Sequence, residues 1–397
     1  MSASPPQRKP NNPCFSSGPT SKPPGWSASD LDLALVGRSH RSPEAIQKIQ
    51  EVVSLTRQLL SIPVDYQVAI VPGSTTGAFM MALWSLLGPR GVDILTWEVF
   101  GKRWALEIEQ GLRFKDVRIL DAPIGRLPDL SAVDANRDVV FSWNGTTSGV
   151  WVPNGEWIPH NQKGLVFCDA ISAIFAADLP WEKLDITAFS WQKTLGGESG
   201  FGMLVLSPKA LERLENFTPA HPVPGLLNLK EYSGEVKQSM FQGQTPNTIS
   251  LLCIEDFLNA LKWAQKIGGQ KALQKKIDDN FTVINSWVER SKWAAFLAEN
   301  PLHRSKTSVC LKIQHPQFYK LDENKQWQAI KDLTMLLAEE KVAYDINNHR
   351  FSCPSLRIWT GPTVAKDDLE TLLPWLDLAY EKVIQPIVTK SHPKEVS

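Results

Sequence analysis

Leu165-Val166-Phe167-Cys168-Asp169 and, sixteen residues on, Asp185-Ile186-Thr187-Ala188-Phe189-Ser190-Trp191-Gln192-Lys193 carry the first structural signal in this chain. Each is an apolar run of strand length, the first ending on Asp169 and the second on Gln192-Lys193. The stretch that follows, Thr194-Leu195-Gly196-Gly197-Glu198-Ser199-Gly200-Phe201-Gly202, is too rich in glycine for helix, and Met203-Leu204-Val205-Leu206 is a further strand. Two strand ends therefore present a carboxylate and an amine. The amine sits on a tight loop held between strands.

An amine fixed in this way can form a Schiff base with the aldehyde of pyridoxal phosphate. A carboxylate at a neighbouring strand end can keep the pyridine nitrogen protonated, which makes the ring an electron sink. The 24 residues from Asp169 to Lys193 leave room for a short connection, one strand and a return to the same sheet edge. A lone lysine or aspartate after a strand is ordinarily a surface or turn residue. The Asp169 strand end, the Ser190–Lys193 end and the glycine loop together favour chemistry.

Composition narrows the function classes. The 397 residues suffice for a substantial core in two lobes. Lys+Arg and Asp+Glu both number 42, so nothing in the charge balance points to nucleic acid or an anionic membrane. Cysteines at 14, 168, 253, 310 and 353 form no CxxC or other metal-ligand spacing, so no metal is expected, and their odd, scattered placement suits a reducing compartment. No apolar run approaches the roughly 18 residues of a membrane span, and the N-terminus lacks a signal-peptide hydrophobic core. A cytoplasmic location is expected. The fifteen tryptophans are dispersed and read mainly as core.

Strand and helix patterns alternate from about Val68 to Leu214, which predicts a mainly parallel sheet covered by helices, with ligands at the strand carboxyl ends. The expected organisation is a disordered lead-in over 1–13, a large cofactor-binding domain over 14–264, a smaller α+β domain over 265–390 and a polar tail over 391–397. The lead-in consists of residues with little to bury.

Other candidates lie along the chain in order. Phe15-Ser16-Ser17-Gly18-Pro19-Thr20 is a small-residue loop that can approach a ligand. His40 and Arg41 stand just before a helix, with Ser42 as N-cap, Pro43 as first helical residue and Ile46, Ile49, Val53 and Leu60 as its apolar stripe. That position suits an anion. Val68–Val71 is a strand, Pro72–Gly77 a loop and Ala78–Leu87 a helix, an order that builds a cup of backbone N–H groups and hydroxyls for a phosphate around Ser74, Thr75 and Thr76. It is neither a Walker A loop nor a GxGxxG fingerprint. After the strand Val92–Trp97, either Phe100 or Trp97 could cover a flat ring. The strand Asp138–Trp143 runs into Asn144–Gly149, where Thr146 offers a hydroxyl at a strand end. Phe241–Thr248 precedes a helical stretch, Ile249–Trp263. Beyond a strand at Ser308–Ile313 and a helix at Trp327–Glu340 come His349-Arg350 and, between apolar neighbours, Arg357. An arginine for a carboxylate and a His/Arg cluster for a second anion would serve a doubly anionic substrate.

Phe167-Cys168-Asp169-Ala170-Ile171-Ser172-Ala173 and Ala188-Phe189-Ser190-Trp191-Gln192-Lys193-Thr194-Leu195-Gly196-Gly197 resemble the class V aminotransferases of the fold-type-I pyridoxal phosphate enzymes, and within them the phosphoserine aminotransferases. The resemblance spans roughly Phe15 to Leu373. It implies an α/β fold with a mainly parallel seven-stranded sheet and a smaller α+β C-terminal domain. It makes Lys193 and Asp169 catalytic, and gives cofactor contacts to Ser74, Thr75, Thr76, Phe100, Thr146 and Gln192 as well. A loop from a second subunit would complete the phosphate site through Gln244 and Thr245, or in another register through Asn247 and Thr248. The expected assembly is thus a homodimer with a shared active site. Ser17, His40, Arg41, His349, Arg350 and Arg357 would bind substrate. Many relatives have arginine where Thr76 stands, and some have Glu and Asp where this chain has Gly145 and Ser148, a form that points to a subgroup.

The implied reaction is reversible amino transfer from L-glutamate to 3-phosphohydroxypyruvate, giving 2-oxoglutarate and O-phospho-L-serine, with a related vitamin B6 step in some bacteria. Serine–glyoxylate or alanine–glyoxylate aminotransferases would share the cofactor site without needing a distal His/Arg cluster. A cysteine desulfurase would need a mobile nucleophilic cysteine, whereas Cys310 and Cys353 lie in or near strand-like segments. A binding protein without catalysis sits poorly with an intact Lys193 and Asp169.

Overall fold

The computed structural model describes residues 5–390. The tail over 391–397 and the first four residues of the lead-in lie outside the described residues. Helix α1 (Pro43–Leu60) starts where Ser42 Oγ accepts the amide of Ala45 at 3.3 Å and Pro43 fills the first helical position. There follow β1 (Gln67–Pro72), α2 (Ser74–Leu86), β2 (Val92–Thr96), α3 (Val99–Leu106), β3 (Val117–Asp121), β4 (Asp138–Ser142), the two-residue strands β5 (Asn144–Gly145) and β6 (Val150–Trp151), β7 (Val166–Asp169), β8 (Ile186–Ser190) and β9 (Phe201–Leu206). Then come α4 (Pro208–Asn216), α5 (Leu251–Lys266), α6 (Gly269–Arg290), β10 (Ala294–Phe296), β11 (Ser308–Ile313), α7 (Pro316–Tyr319), α8 (Glu323–Glu339), β12 (Leu356–Trp359), α9 (Lys366–Ala379) and α10 (Gln385–Lys390).

The large sheet has seven strands in the order β1-β9-β8-β7-β4-β2-β3. Six run in one direction, and β9 alone is antiparallel to both neighbours. The carboxyl ends of six strands therefore share one edge. Because β9 starts from that edge, the Lys193 loop is the turn joining β8 to β9. Alternate residues supply two cores: Val68 and Ile70 of β1 pack with α1 and α5, whereas Ala69 and Val71 pack with α2. Strands buried on both faces read as continuous apolar runs, which is why β7, β8 and β9 were visible without a period-2 pattern.

A second sheet, β10-β11-β12, is antiparallel and packs with α6, α8 and α9 around Leu311, Ile330, Leu333, Ile358, Trp359, Leu372 and Trp375. Phe15 belongs to this core although it lies near the start of the chain. Pro13 O accepts the amide of Tyr344 at 2.8 Å and Phe15 O that of Trp359 at 3.0 Å, while Thr20 N donates to Gln192 O at 3.0 Å. One stretch thus joins the second sheet to the Lys193 loop. The disordered reading of 1–13 gives way from Arg8 onward. Trp375 Nε1 donates to Arg8 O at 2.8 Å, and Asn11 N donates to the buried carboxylate of Asp368 at 2.6 Å, so this backbone satisfies polar groups that would otherwise be buried unpaired. Helix α2 begins at Ser74, earlier than the expected Ala78, and α5 continues to Lys266, past the expected boundary at 264. All fifteen tryptophans are buried or half-buried. No helix among the described residues is long and apolar enough to cross a membrane.

Candidate active site

Asp169 ends β7 and is almost fully buried. Its Oδ2 accepts the indole N–H of Trp104 at 3.0 Å and its Oδ1 the amide of Ile171 at 3.2 Å. Burial pushes the carboxyl up to about 6; the Ile171 amide, the Trp104 indole and the charge of Lys193 oppose the rise. Lys193 is also buried, with Nζ 5.9 Å from the centroid of the Trp359 ring. Burial and then the nearby Arg357 lower its amine to about 7, against the pull of Asp169 and Glu98. An amine that loses its proton near neutrality can act as a nucleophile or base at ordinary pH.

The backbone holds Lys193 from both sides. Thr20 Oγ1 donates to Lys193 O, Gly196 N donates to the same oxygen at 3.0 Å, and Gly197 N donates to Trp191 O at 2.9 Å. Gly18 has φ +143°, and a Cβ there would stand 3.0 Å from Lys193 Cε. Glycine is required where this loop passes the lysine.

Ser74, Thr75 and Thr76, expected in a loop, form the first turn of α2. First-turn N–H groups have no partner within their helix. Gly73 and Ser74 give theirs to Gly200 O at 2.8 and 3.3 Å, which leaves those of Thr75 and Thr76 for an anion. Thr75 Oγ1 also bonds Ser190 Oγ at 2.7 Å, tying this turn to the end of β8. Two buried acceptors at the same edge, Ser142 Oγ and Gln192 Oε1, have no partner. Thr146 Oγ1 bonds Ser172 Oγ at 2.8 Å, and Thr146 O accepts from Ser308 Oγ at 2.8 Å. Ser17 Oγ lies 3.2 Å from Ser308 Oγ. A ring phosphate with its aldehyde near Lys193 and its nitrogen near Asp169 fits these groups: each end meets a group of the required chemistry, and the orphaned polar atoms lie on the same edge.

Arg357 of β12 is paired in register with Cys310 of β11. Its Nε is buried without a partner, and no carboxylate bonds its guanidinium among the described residues. The ring of His349 lies 5.8 Å from that of Phe100, and burial, with Arg357 and Arg350 nearby, lowers the imidazole below its ordinary value. Arg350 is exposed and stacks on Phe351 at 4.6 Å. Cys310 is buried at 2 % exposure, and burial raises its thiol and that of Cys353; neither is poised as a mobile nucleophile.

Four candidates form a separate group. His40 and Arg41 precede α1, and Gln244 and Thr245 follow Gln242, whose carbonyl accepts from Gln50 of α1 at 2.9 Å. Thr245 Oγ1 donates to Asn247 O at 2.6 Å. Among the described residues no hydrogen bond, ion pair or ring contact links these four, or the alternative pair Asn247 and Thr248, to Lys193, Asp169 or Arg357.

Sequence reasoning missed three buried residues. Glu98 caps α3 by accepting Gly101 N at 2.7 Å and also accepts Thr147 Oγ1 at 2.9 Å. An acidic residue just before a helical run is the available signal. Trp104 lies four residues after Phe100, one turn along the same helix. Asn348, beside His349, has no local signal.

The family model for class V aminotransferases matches residues 30–334. Phosphoserine aminotransferases of Methanosarcina mazei and Methanosarcina barkeri are each 51% identical over 378 residues, covering 95% of this chain and 99% of their own. Among solved structures, a phosphoserine aminotransferase of Cytophaga hutchinsonii superposes with TM-score 0.76 at 20% identity, over 92% of this chain and 99% of its own. A pyridoxal-phosphate-bound phosphoserine aminotransferase of Trichomonas vaginalis gives 0.74 at 16% identity, over 92% and 100%. These likenesses agree with the fold reached from the strands, and with a matched span that includes Asp169 and Lys193, the chain belongs to the class V aminotransferase family, whose cofactor is pyridoxal 5′-phosphate.

Proposed function

We propose that this enzyme transfers the amino group of L-glutamate to 3-phosphohydroxypyruvate, giving 2-oxoglutarate and O-phospho-L-serine, and does so reversibly. The observation that carries the reading is the unpaired Arg357 beside Lys193 in a chain half identical to phosphoserine aminotransferases over nearly their whole length. A guanidinium without a protein carboxylate is suited to a substrate carboxylate, which it can grip with two parallel bonds. The His349–Arg350 loop then receives the distal anion, and Ser17 lies beside the substrate.

Ser74, Thr75, Thr76, Thr146 and Gln192 would hold the cofactor, with Phe100 against its ring and Asp169 to keep the ring nitrogen protonated. When bound, the cofactor supplies an electron sink for the pair left as the substrate Cα loses its proton. Lys193 Nζ, deprotonated near neutrality, takes that proton and returns it during transfer. Arg357 fixes the carboxylate so that the Cα–H faces the amine. With the keto acid the same groups act in reverse.

His40, Arg41, Gln244 and Thr245 gather by α1, apart from Lys193, and we assign them to the site of a second copy, which makes the working unit a homodimer. The same reading divides the chain into a large lobe that ends with α5 at Lys266 and a small lobe beyond it, joined by the Phe15 stretch, and places the enzyme in the cytoplasm. An absorbance spectrum before and after L-glutamate, then after 3-phosphohydroxypyruvate, tests the reading. The cofactor band should be lost with glutamate and restored by the phosphorylated keto acid, and poorly by pyruvate or glyoxylate. Restoration by glyoxylate alone would overturn the substrate assignment.

A further inference from the structure

We infer that Asn348 is a positioning residue for recognition of the substrate's distal anion, acting by fixing the His349–Arg350 loop against the helix that carries Phe100. The inference rests on the reading above that this loop receives the distal anion. Asn348 is 2 % exposed and its amide is fully engaged. Nδ2 faces Thr147 O at 2.9 Å, Ser355 Oγ at 2.8 Å and Ser352 Oγ at 3.3 Å, while Oδ1 accepts the backbone N–H of His349 at 2.8 Å. Its own N–H donates to Ser355 O at 3.1 Å. The residue adjoining the imidazole is thus firmly held, although the next members of its loop, Arg350 and Phe351, are exposed.

The other end of this linkage is also buried. Thr147 lies on the loop after β5, its hydroxyl donating to Glu98 Oε2 at 2.9 Å and accepting Val99 N at 3.1 Å. Glu98 in turn caps α3 through Gly101 N. A chain from Glu98 through Thr147 to Asn348 therefore crosses from the large sheet to the small lobe, and Ser352 Oγ reinforces it by donating to Thr147 O at 2.8 Å. The two ends carry Phe100 and His349, whose rings are 5.8 Å apart. Fully satisfied buried networks of this kind fix one geometry, and losing a member frees the groups it held. Asn348 itself touches neither Lys193 nor Asp169. Its loss should affect the distal anion and leave the reacting end unchanged.

The test compares wild-type holoenzyme with Asn348→Ala, using 3-phosphohydroxypyruvate and its unphosphorylated counterpart, hydroxypyruvate. The expected result is a fall of about tenfold in the ratio of the two kcat/KM values, carried by KM for the phosphorylated acid, the size expected for losing one well-oriented bond. Hydroxypyruvate turnover should stay within about twofold. Equal loss on both substrates, or no change in the ratio, overturns the inference. If Asn348→Ala does not fold, Ser352→Ala removes one acceptor and one donor of the same network; it should lower the ratio by about threefold, and an unchanged ratio overturns the inference equally. A wild-type ratio near one would bring down the substrate reading and this inference with it, whereas a high wild-type ratio that the variants leave intact removes this inference alone.

Discussion

The indole N–H of Trp104 donates to Asp169 Oδ2 at 3.0 Å within the core, so the carboxylate to which we assign the cofactor nitrogen is held by a helix that also carries Phe100. Phe79 packs against the same indole, with ring centroids 4.8 Å apart. Trp104→Phe keeps most of that packing and removes the donor. The carboxyl should then titrate above its present value of about 6, and cofactor affinity should fall by about tenfold. Titration of the cofactor-free enzyme with pyridoxal phosphate measures it; unchanged affinity would show that the bond does not steady Asp169.

Lys193 sets a pH dependence for cofactor loading. With its amine lowered to about 7, the rate of chromophore formation in the cofactor-free chain should rise through about pH 7 and level off above it. An ordinary lysine would keep gaining up to 10.5. Arg357→Met removes a cation that lowers the amine, so the midpoint should move upward. A rate still climbing at pH 9 in the wild type would refute this account of the site.

Arg357 separates binding from stability. Because no carboxylate pairs with it, Arg357→Met should not lower the unfolding temperature, unlike removal of one member of an ion pair. KM for L-glutamate should rise roughly ten- to a hundredfold, the loss expected for charge-assisted bonds to a carboxylate. Calorimetry and steady-state kinetics on one preparation give both numbers, and a large drop in stability would mean that the guanidinium has a structural partner.

Glu98 makes stability depend on pH in the opposite sense to Lys193. Burial raises its carboxyl from 4.5 to about 7, so between those values the folded chain holds more protons than the unfolded one and loses stability as pH rises. For Lys193 the unfolded chain holds more protons between about 7 and 10.5, so stability is gained as pH rises through that window. Glu98→Gln should reduce the first slope in the cofactor-free enzyme, Asp169 keeping the part below about 6, and, by removing a charge that raises the Lys193 amine, should extend the second window to lower pH. Denaturant midpoints at pH 5, 7 and 9 would show it.

What could be read from the sequence was whatever local pattern controls. Asp169 and Lys193 ended apolar runs, and Ser42-Pro43 announced α1 through its capping chemistry. Ser74, Thr75 and Thr76 read as loop from sequence because their low helix propensity masks a first turn, the place where hydroxyl residues and free amides belong. Trp104 could have been one more core aromatic; its bond to Asp169 depends on how α3 lies against β7. Asn348 is still less legible, since its partners Thr147 and Ser355 lie on two lobes. Lead-in residues such as Arg8 and Asn11 looked featureless because their partners, Asp367 and Asp368, are more than 350 positions away.

The same long reach of Phe15 governs the order in which the molecule can be completed during synthesis. Its core neighbours lie between Ile284 and Val388, so Phe15 has nowhere to pack until most of the chain exists. The large sheet needs only strands from Gln67 to Leu206 and can assemble on the ribosome well before then. Thr20 and Lys22 have earlier-made partners in Gln192, Lys193 and Asp256, so this part of the stretch can dock once α5 exists. The earliest-made segment can thus be seated in two stages, over the Lys193 loop once α5 is made and at Phe15 only after the second core has followed.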